Sequence, residues 1–163
     1  METKLKIIME VERNPNGIHL RKISRLVNSG LPNVKRFLEI LEKEKVVKKE
    51  KEANLVKFKL RESQRTLAYL KQLNIERLLG LPSKVQNAVI EFLDELKDRA
   101  LIALIFGSYA KGNYTRDSDI DVLLVFQKLE NGKDIENVAK RISMRTNTKI
   151  SAVYLEYKNF ERN

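Results

Sequence analysis

Residues 101–126 read LIALIFGSYAKGNYTRDSDIDVLLVF, and no other stretch limits the fold so closely. LIALIF and DIDVLLVF are short apolar runs rich in branched residues, so they read as strands, with SYAKG a short helix between them. A strand that ends in Gly107 and Ser108 and turns straight into a helix leaves free backbone amides and a hydroxyl beyond its end, a setting that attracts phosphate. Gly107 lets a ligand approach the main chain, and Gly112 allows a sharp exit from the short helix. Along the second strand side chains alternate, so Asp119 and Asp121 project to one face while Ile120 and Val122 enter the opposite layer. Two carboxylates so placed repel each other unless a cation lies between them. A hard divalent ion, Mg²⁺ or Mn²⁺, takes oxygen ligands and would also reach the phosphates of a nucleotide held at Ser108.

Around this centre the chain alternates helix and strand. PSKVQNAVIEFLDELKDR places Val85, Val89, Phe92 and Leu96 on one helical face, DIENVAKRISM reads as a second helix, and KISAVYLEY as a third strand. Lys111 and Arg116 read either as phosphate contacts or as solvated charges. Asp117 belongs to the loop, and Tyr109 reads as packing.

The pattern GSYAKGNYTRDSDID resembles the signature of the nucleotidyltransferase superfamily that includes DNA polymerase beta, in particular its minimal members, over residues 84–160. The resemblance implies an NTP, ATP, as substrate or ligand, its triphosphate at Gly107, Ser108, Lys111 and Gly112. It also implies Asp119 and Asp121 as catalytic and Mg²⁺-binding residues, and transfer of a nucleoside monophosphate to a hydroxyl of protein or RNA. Minimal members act beside HEPN-domain partners, so such a protein is an expected partner, and pairing of two copies is a further expectation.

Catalytic members of that family carry a third acid on the strand after the next helix. The apolar pattern of KISAVYLEYKNF puts Ser151 there. Glu156 lies five residues on and points to the other sheet face if the strand is regular. Two expectations follow: a transferase, or a regulator that binds nucleotide and transfers it weakly.

The first sixty residues have a different period. TKLKIIMEVE carries Leu5, Ile8 and Met9 at helical spacing, HLRKISRLVN carries Leu20, Ile23 and Val27, and LPNVKRFLEILEKEK carries Val34, Phe37, Leu38 and Leu41, with Pro32 tolerated in its first turn. VVKKEKEANLVKFKL then reads as two strands around the polar KEAN. The order and the short SGLP turn resemble a winged helix-turn-helix. That resemblance implies double-stranded DNA as a partner, met by Asn33, Lys35 and Arg36 from the third helix and by Lys48, Lys49 and Lys57 from the wing. His19 is expected to carry no chemistry.

The expected fold class is α+β: a winged helix-turn-helix over residues 1–62, a connecting helix over 63–81 with Leu67, Leu70, Leu73 and Leu78 periodic, and over 82–163 a nucleotidyltransferase-like mixed sheet with flanking helices. Charge is consistent with anionic partners. The chain carries 32 Lys and Arg against 22 Asp and Glu, a net +10. Residues 1–60 hold 15 basic and 8 acidic residues, so most of the surplus lies there. The absence of cysteine removes disulfides, thiolate nucleophiles and Cys-ligated zinc, and one histidine cannot build a His-rich metal site. No apolar segment approaches a membrane span and the start does not read as a signal peptide, so a cytoplasmic location is expected.

Overall fold

The computed structural model of the chain describes residues 1–52, 55–97, 99–129 and 131–161. The chain divides into two compact units, Met1–Leu78 and Leu79–Asn163.

The first unit opens with α1 (Thr3–Glu12), β1 (Ile18–His19), α2 (Leu20–Leu26) and α3 (Leu31–Lys43), followed by β2 (Val47–Glu52), β3 (Leu55–Leu60) and α4 (Gln64–Leu79). Its strands form an antiparallel sheet in the order β1-β3-β2. This is a winged helix. Leu5 and Ile8 of α1, Ile23 of α2, Val34, Leu38 and Leu41 of α3, and Phe58 of β3 meet in one core. Pro32 sits in the first turn of α3, where its missing N–H removes no helical bond. Of the polar KEAN between the wing strands, Ala53 and Asn54 lie outside the described residues.

The two-residue β1 was not expected. It pairs Ile18 with Phe58 and His19 with Lys57, and the His19 ring donates from Nδ1 to the Val56 carbonyl at 2.9 Å. His19 therefore closes the sheet edge and does not begin α2.

Helix α4 is fastened onto this core. Leu73 is fully buried and Leu70 packs against the cluster, but Leu67, expected on the same face, is 50% exposed. Thr66 is buried instead, and its hydroxyl reaches the Val46 carbonyl and Ser63. Only the first turn departs from the leucine pattern: Thr66, with its hydroxyl satisfied, takes the inward place and shares a face with Leu70 and Leu73 at i+4 and i+7. Lys4 bonds both Glu44 and the Tyr69 hydroxyl, and Arg77 pairs with Glu12 at 2.5 Å.

The second unit contains α5 (Ser83–Glu95), β4 (Ala100–Phe106), α6 (Gly107–Lys111), β5 (Ile120–Phe126), α7 (Gly132–Thr146), β6 (Ile150–Glu156) and α8 (Tyr157–Phe160). Its sheet has the order β4-β5-β6, with β4 antiparallel and β6 parallel to the central strand. The fold is α+β, with a mixed sheet in this unit. Parallel β5 and β6 need a crossover, and α7 supplies it. Val85, Ala88, Val89 and Phe92 of α5 and Ile135, Val138, Ala139 and Ile142 of α7 are buried with Ile120, Val122 and Leu124 of β5. Ion pairs of Arg141 with Glu95 and of Arg145 with Glu91 and Glu95 join the two helices along their solvent side. Cross-strand partners share a face, so Phe106, Asp121 and Ser151 form one row on the other side of the sheet and Leu104, Leu123 and Val153 the next. Phe106, Leu104 and Val153 are exposed, so this face is open.

Candidate functional site at the head of the central strand

Gly107 takes a left-handed φ of +68° as β4 passes into α6. A β-carbon there would overlap Oδ2 of Asp121 and lie 3.0 Å from its Cγ. The Asp121 carboxylate therefore rests against the main chain of the Gly-Ser turn, which only glycine permits. Ser108 is half-buried in the first turn of α6, and Lys111 is exposed in its last. Gly112 caps the helix at φ +75° with nothing within 4 Å of an added β-carbon, so its requirement is backbone conformation.

The loop back to β5 is tied down. Asn113 donates its amide to the Ser108 carbonyl at 3.2 Å, and Thr115 donates its amide to Ser118 Oγ at 2.8 Å. Tyr109 is buried and stacks on Tyr114, with ring centroids 4.5 Å apart. Burial pushes the Tyr109 hydroxyl's pKa up, and the stacked rings prop the loop. Arg116 and Asp117 are exposed on that loop.

Asp119 stands just before β5 and Asp121 within it, two positions apart and on one face. Asp119 Oδ2 accepts from Lys149 Nζ at 2.5 Å. The Ile120 amide donates to the Lys149 carbonyl at 2.8 Å, and Ile120 pairs with Ile150, which puts Lys149 beside Asp119 and Ser151 beside Asp121. Among the described residues no three His, Cys, Asp or Glu side chains converge on one point. Glu156 pairs with Phe126 at the far end of the strand, where it accepts from the Leu129 amide at 3.2 Å and from Lys158 at 2.6 Å. Those bonds, the one from Lys158 foremost, hold its pKa below the usual carboxylate value. The donor set of two hard carboxylates and one neutral hydroxyl suits one oxygen-coordinated divalent cation between Asp119 and Asp121, and lacks the charge for a second.

A cleft of about 1420 Å³ opens beside Asp119, lined among others by Lys84, Tyr109, Tyr114, Arg116 and Lys149. The structure brings Gly107, Ser108, Asp119 and Asp121 together at one end of the sheet. Lysine 149 was not singled out in the sequence, though its even spacing from Ser151 on one strand carried the signal.

Residues 87–162 match the protein family described as polymerase beta, nucleotidyltransferase. The C-terminal unit is a nucleotidyltransferase domain of that superfamily. A Methanocaldococcus jannaschii protein provisionally named a protein adenylyltransferase is 36% identical over 61 residues, covering 36% of this chain and 62% of that protein. A second protein of the same organism and provisional name is 46% identical over 44 residues, covering 24% of this chain and 44% of its own length. The chain thus spans less than two thirds of each of these relatives. A crystal structure from Archaeoglobus fulgidus matches 49% of this chain and 90% of its own length, with a TM-score of 0.44 and 19% identity. The nucleotidyltransferase domain here is joined to an N-terminal winged helix.

In that winged helix, Lys35 and Arg36 are exposed on α3. Arg36 donates to Asn33 Oδ1 at 3.2 Å and lies over the Phe37 ring, and Asn33 donates to Ser29 Oγ at 3.0 Å, so Asn33 and Arg36 are held together on one side of the exposed helix surface. The wing lysines separate. Register places Lys48, Glu50, Lys57 and Lys59 on one face and Lys49 on the other with Phe58. Lys48 and Lys59 both pair with Glu50 at 2.7 Å, and Lys49 pairs with Glu42 at 2.5 Å. Hydrogen bonds from Lys48 and then Lys59 pull the Glu50 pKa down from 4.5 to about 2. A depressed carboxylate contributes its stabilisation above the unfolded pKa and loses it as pH falls through the folded one, here between about 4.5 and about 2. In Lys48→Ala the Glu50 pKa is expected to move up toward 4.5, read by NMR titration of its side-chain carbonyl carbon. An unmoved value would mean that Lys59 alone holds the carboxylate.

Proposed function

We propose that the nucleotidyltransferase domain binds a nucleoside triphosphate, ATP, with one divalent cation, Mg²⁺ or Mn²⁺, and transfers its nucleoside monophosphate only slowly to a protein or RNA hydroxyl. The observation that carries this reading is the register that sets Ser151 beside Asp121 while the Asp121 carboxylate lies on Gly107. Gly107 and Ser108 cradle the phosphates, and Asp119 and Asp121 hold the cation. When bound, that cation offsets phosphate charge and polarises the phosphorus that is attacked. Ser151 has no charge to hold a further ligand and no basicity to take the acceptor proton. Glu156 is committed elsewhere by Leu129 and Lys158. The names of the two archaeal relatives favour a second reading, adenylyl transfer to a protein hydroxyl at ordinary rates. Incubation with α-labelled ATP and Mg²⁺ separates the two: bound but unincorporated nucleotide supports the first, rapid labelling of a protein the second.

The winged helix, in the same reading, binds double-stranded DNA through Asn33, Lys35 and Arg36, with Lys48 and Lys57, on one face of the wing, against the phosphates. Lys49, expected with them, lies on the opposite face and pairs with Glu42. Counterion release makes this binding weaken linearly on a log-log plot against salt. Replacing both Lys35 and Arg36 by alanine is expected to lower the salt slope by about 2 and to weaken binding to duplex DNA at low salt. Fluorescence anisotropy of the full chain on a labelled duplex checks it, and an unchanged slope would turn the α3 surface over to protein contacts.

A further inference from the structure

Lys149 is the one feature of the carboxylate site that the proposed function leaves unused. Its ammonium lies 2.5 Å from Asp119 Oδ2, and the backbone fixes it there, because the Ile120 amide bonds the Lys149 carbonyl at the start of the parallel β5/β6 ladder. Two residues further along the same strand, Ser151 stands beside Asp121. Across the two strands the row therefore reads carboxylate with ammonium, then carboxylate with hydroxyl. The local charge is −1 from two carboxylates and one lysine. A third carboxylate without the lysine would make it −3.

We propose that Lys149 is the resident counter-charge of this site, a positioning residue that takes the place of a second divalent cation, so that a nucleoside triphosphate is held with one divalent ion. This rests on the nucleotide reading above. In the free protein the ammonium neutralises Asp119 and competes with a divalent ion for it. In the complex the same flexible side chain, 72% exposed, swings from Asp119 to a phosphate oxygen as the cation takes the carboxylate. Lys84 and Arg116 line the adjoining cleft and add to its positive field.

The two roles give the Lys149→Ala variant effects of opposite sign. Without nucleotide, Mn²⁺ should bind about fivefold more tightly, since its competitor at Asp119 is gone; without divalent ion, in EDTA, the non-hydrolysable analogue α,β-methylene-ATP should bind about fivefold more weakly, the scale of one exposed ion pair. A lysine that merely supported the fold would lower both. Electron paramagnetic resonance of Mn²⁺ with saturating analogue should count one ion per wild-type chain, and two in a Lys149→Ala/Ser151→Asp double variant. Two ions in the wild type, or Mn²⁺ and nucleotide affinities that fall together in Lys149→Ala, would overturn the proposal while leaving nucleotide binding intact. No binding of the analogue to the wild type with Mn²⁺ would instead remove the nucleotide reading, and this inference with it.

Discussion

Alanine at Gly107 is expected to weaken Mg²⁺-dependent ATP binding on the order of 100-fold, whereas alanine at Gly112 leaves it within a few-fold of the wild type. Both glycines have positive φ, +68° and +75°, so both substitutions cost roughly 1–2 kcal/mol of backbone strain. Only at Gly107 does the new β-carbon meet a functional group, the Asp121 carboxylate. That carboxylate must move off the main chain, taking with it one cation ligand and the close approach of phosphate to the Gly-Ser amides. Losing charge-assisted contacts worth about 3 kcal/mol in total corresponds to the stated factor. Titration calorimetry measures the affinities, and thermal melting followed by circular dichroism shows whether the two variants are strained alike. Equal loss of affinity in both would mean that strain in α6, and not the contact with Asp121, controls the site.

That contrast was half legible in the sequence. Alternation along DIDVLLVF was enough to put Asp119 and Asp121 on one face, because a strand has a period of two whatever surrounds it. The distance between that face and the Gly-Ser turn depends on how β4 and β5 align, and pairing of Phe106 with Asp121 is a long-range fact that no local pattern contains. Ser151 could be placed by counting apolar positions, and its pairing with Asp121 follows once β6 is parallel and in register. Lys149 was passed over because a lone lysine at a strand entry ordinarily reads as a solvated charge. The wing lysines mislead for a more local reason: Lys48 and Lys49 read as free cations in a basic run, yet Glu50, two residues on along the same strand, pairs with Lys48 and Glu42, at the end of α3, pairs with Lys49. Helix phase failed at Leu67 for a local reason, since Thr66 with its hydroxyl satisfied can occupy the buried position that the leucine repeat claimed.

The serine beside Asp121 sets the other large expectation. Wild-type protein should bind ATP and transfer its adenylyl group slowly, and Ser151→Asp should raise transfer on the order of 100-fold, the lower end of what a positioned general base contributes. Room exists for the longer side chain, because the row Phe106, Asp121, Ser151 lies on the open face of the sheet and Ser151 is only half-buried. The added charge brings its own signature: beside Asp121, on a neighbouring strand about 5 Å away, a third carboxylate repels the first two. The variant should therefore melt lower than the wild type in EDTA and recover in Mg²⁺, a cation-dependent shift that reports a correctly placed carboxylate even if the acceptor is missing from the assay. Transfer is followed with α-labelled ATP as label on protein or RNA and, independently, as pyrophosphate released. Robust wild-type transfer that survives Ser151→Ala but is lost in Glu156→Gln would overturn this account, since it would require β6 to slide out of the register that pairs Asp121 with Ser151 and Glu156 to leave the Leu129 amide and Lys158.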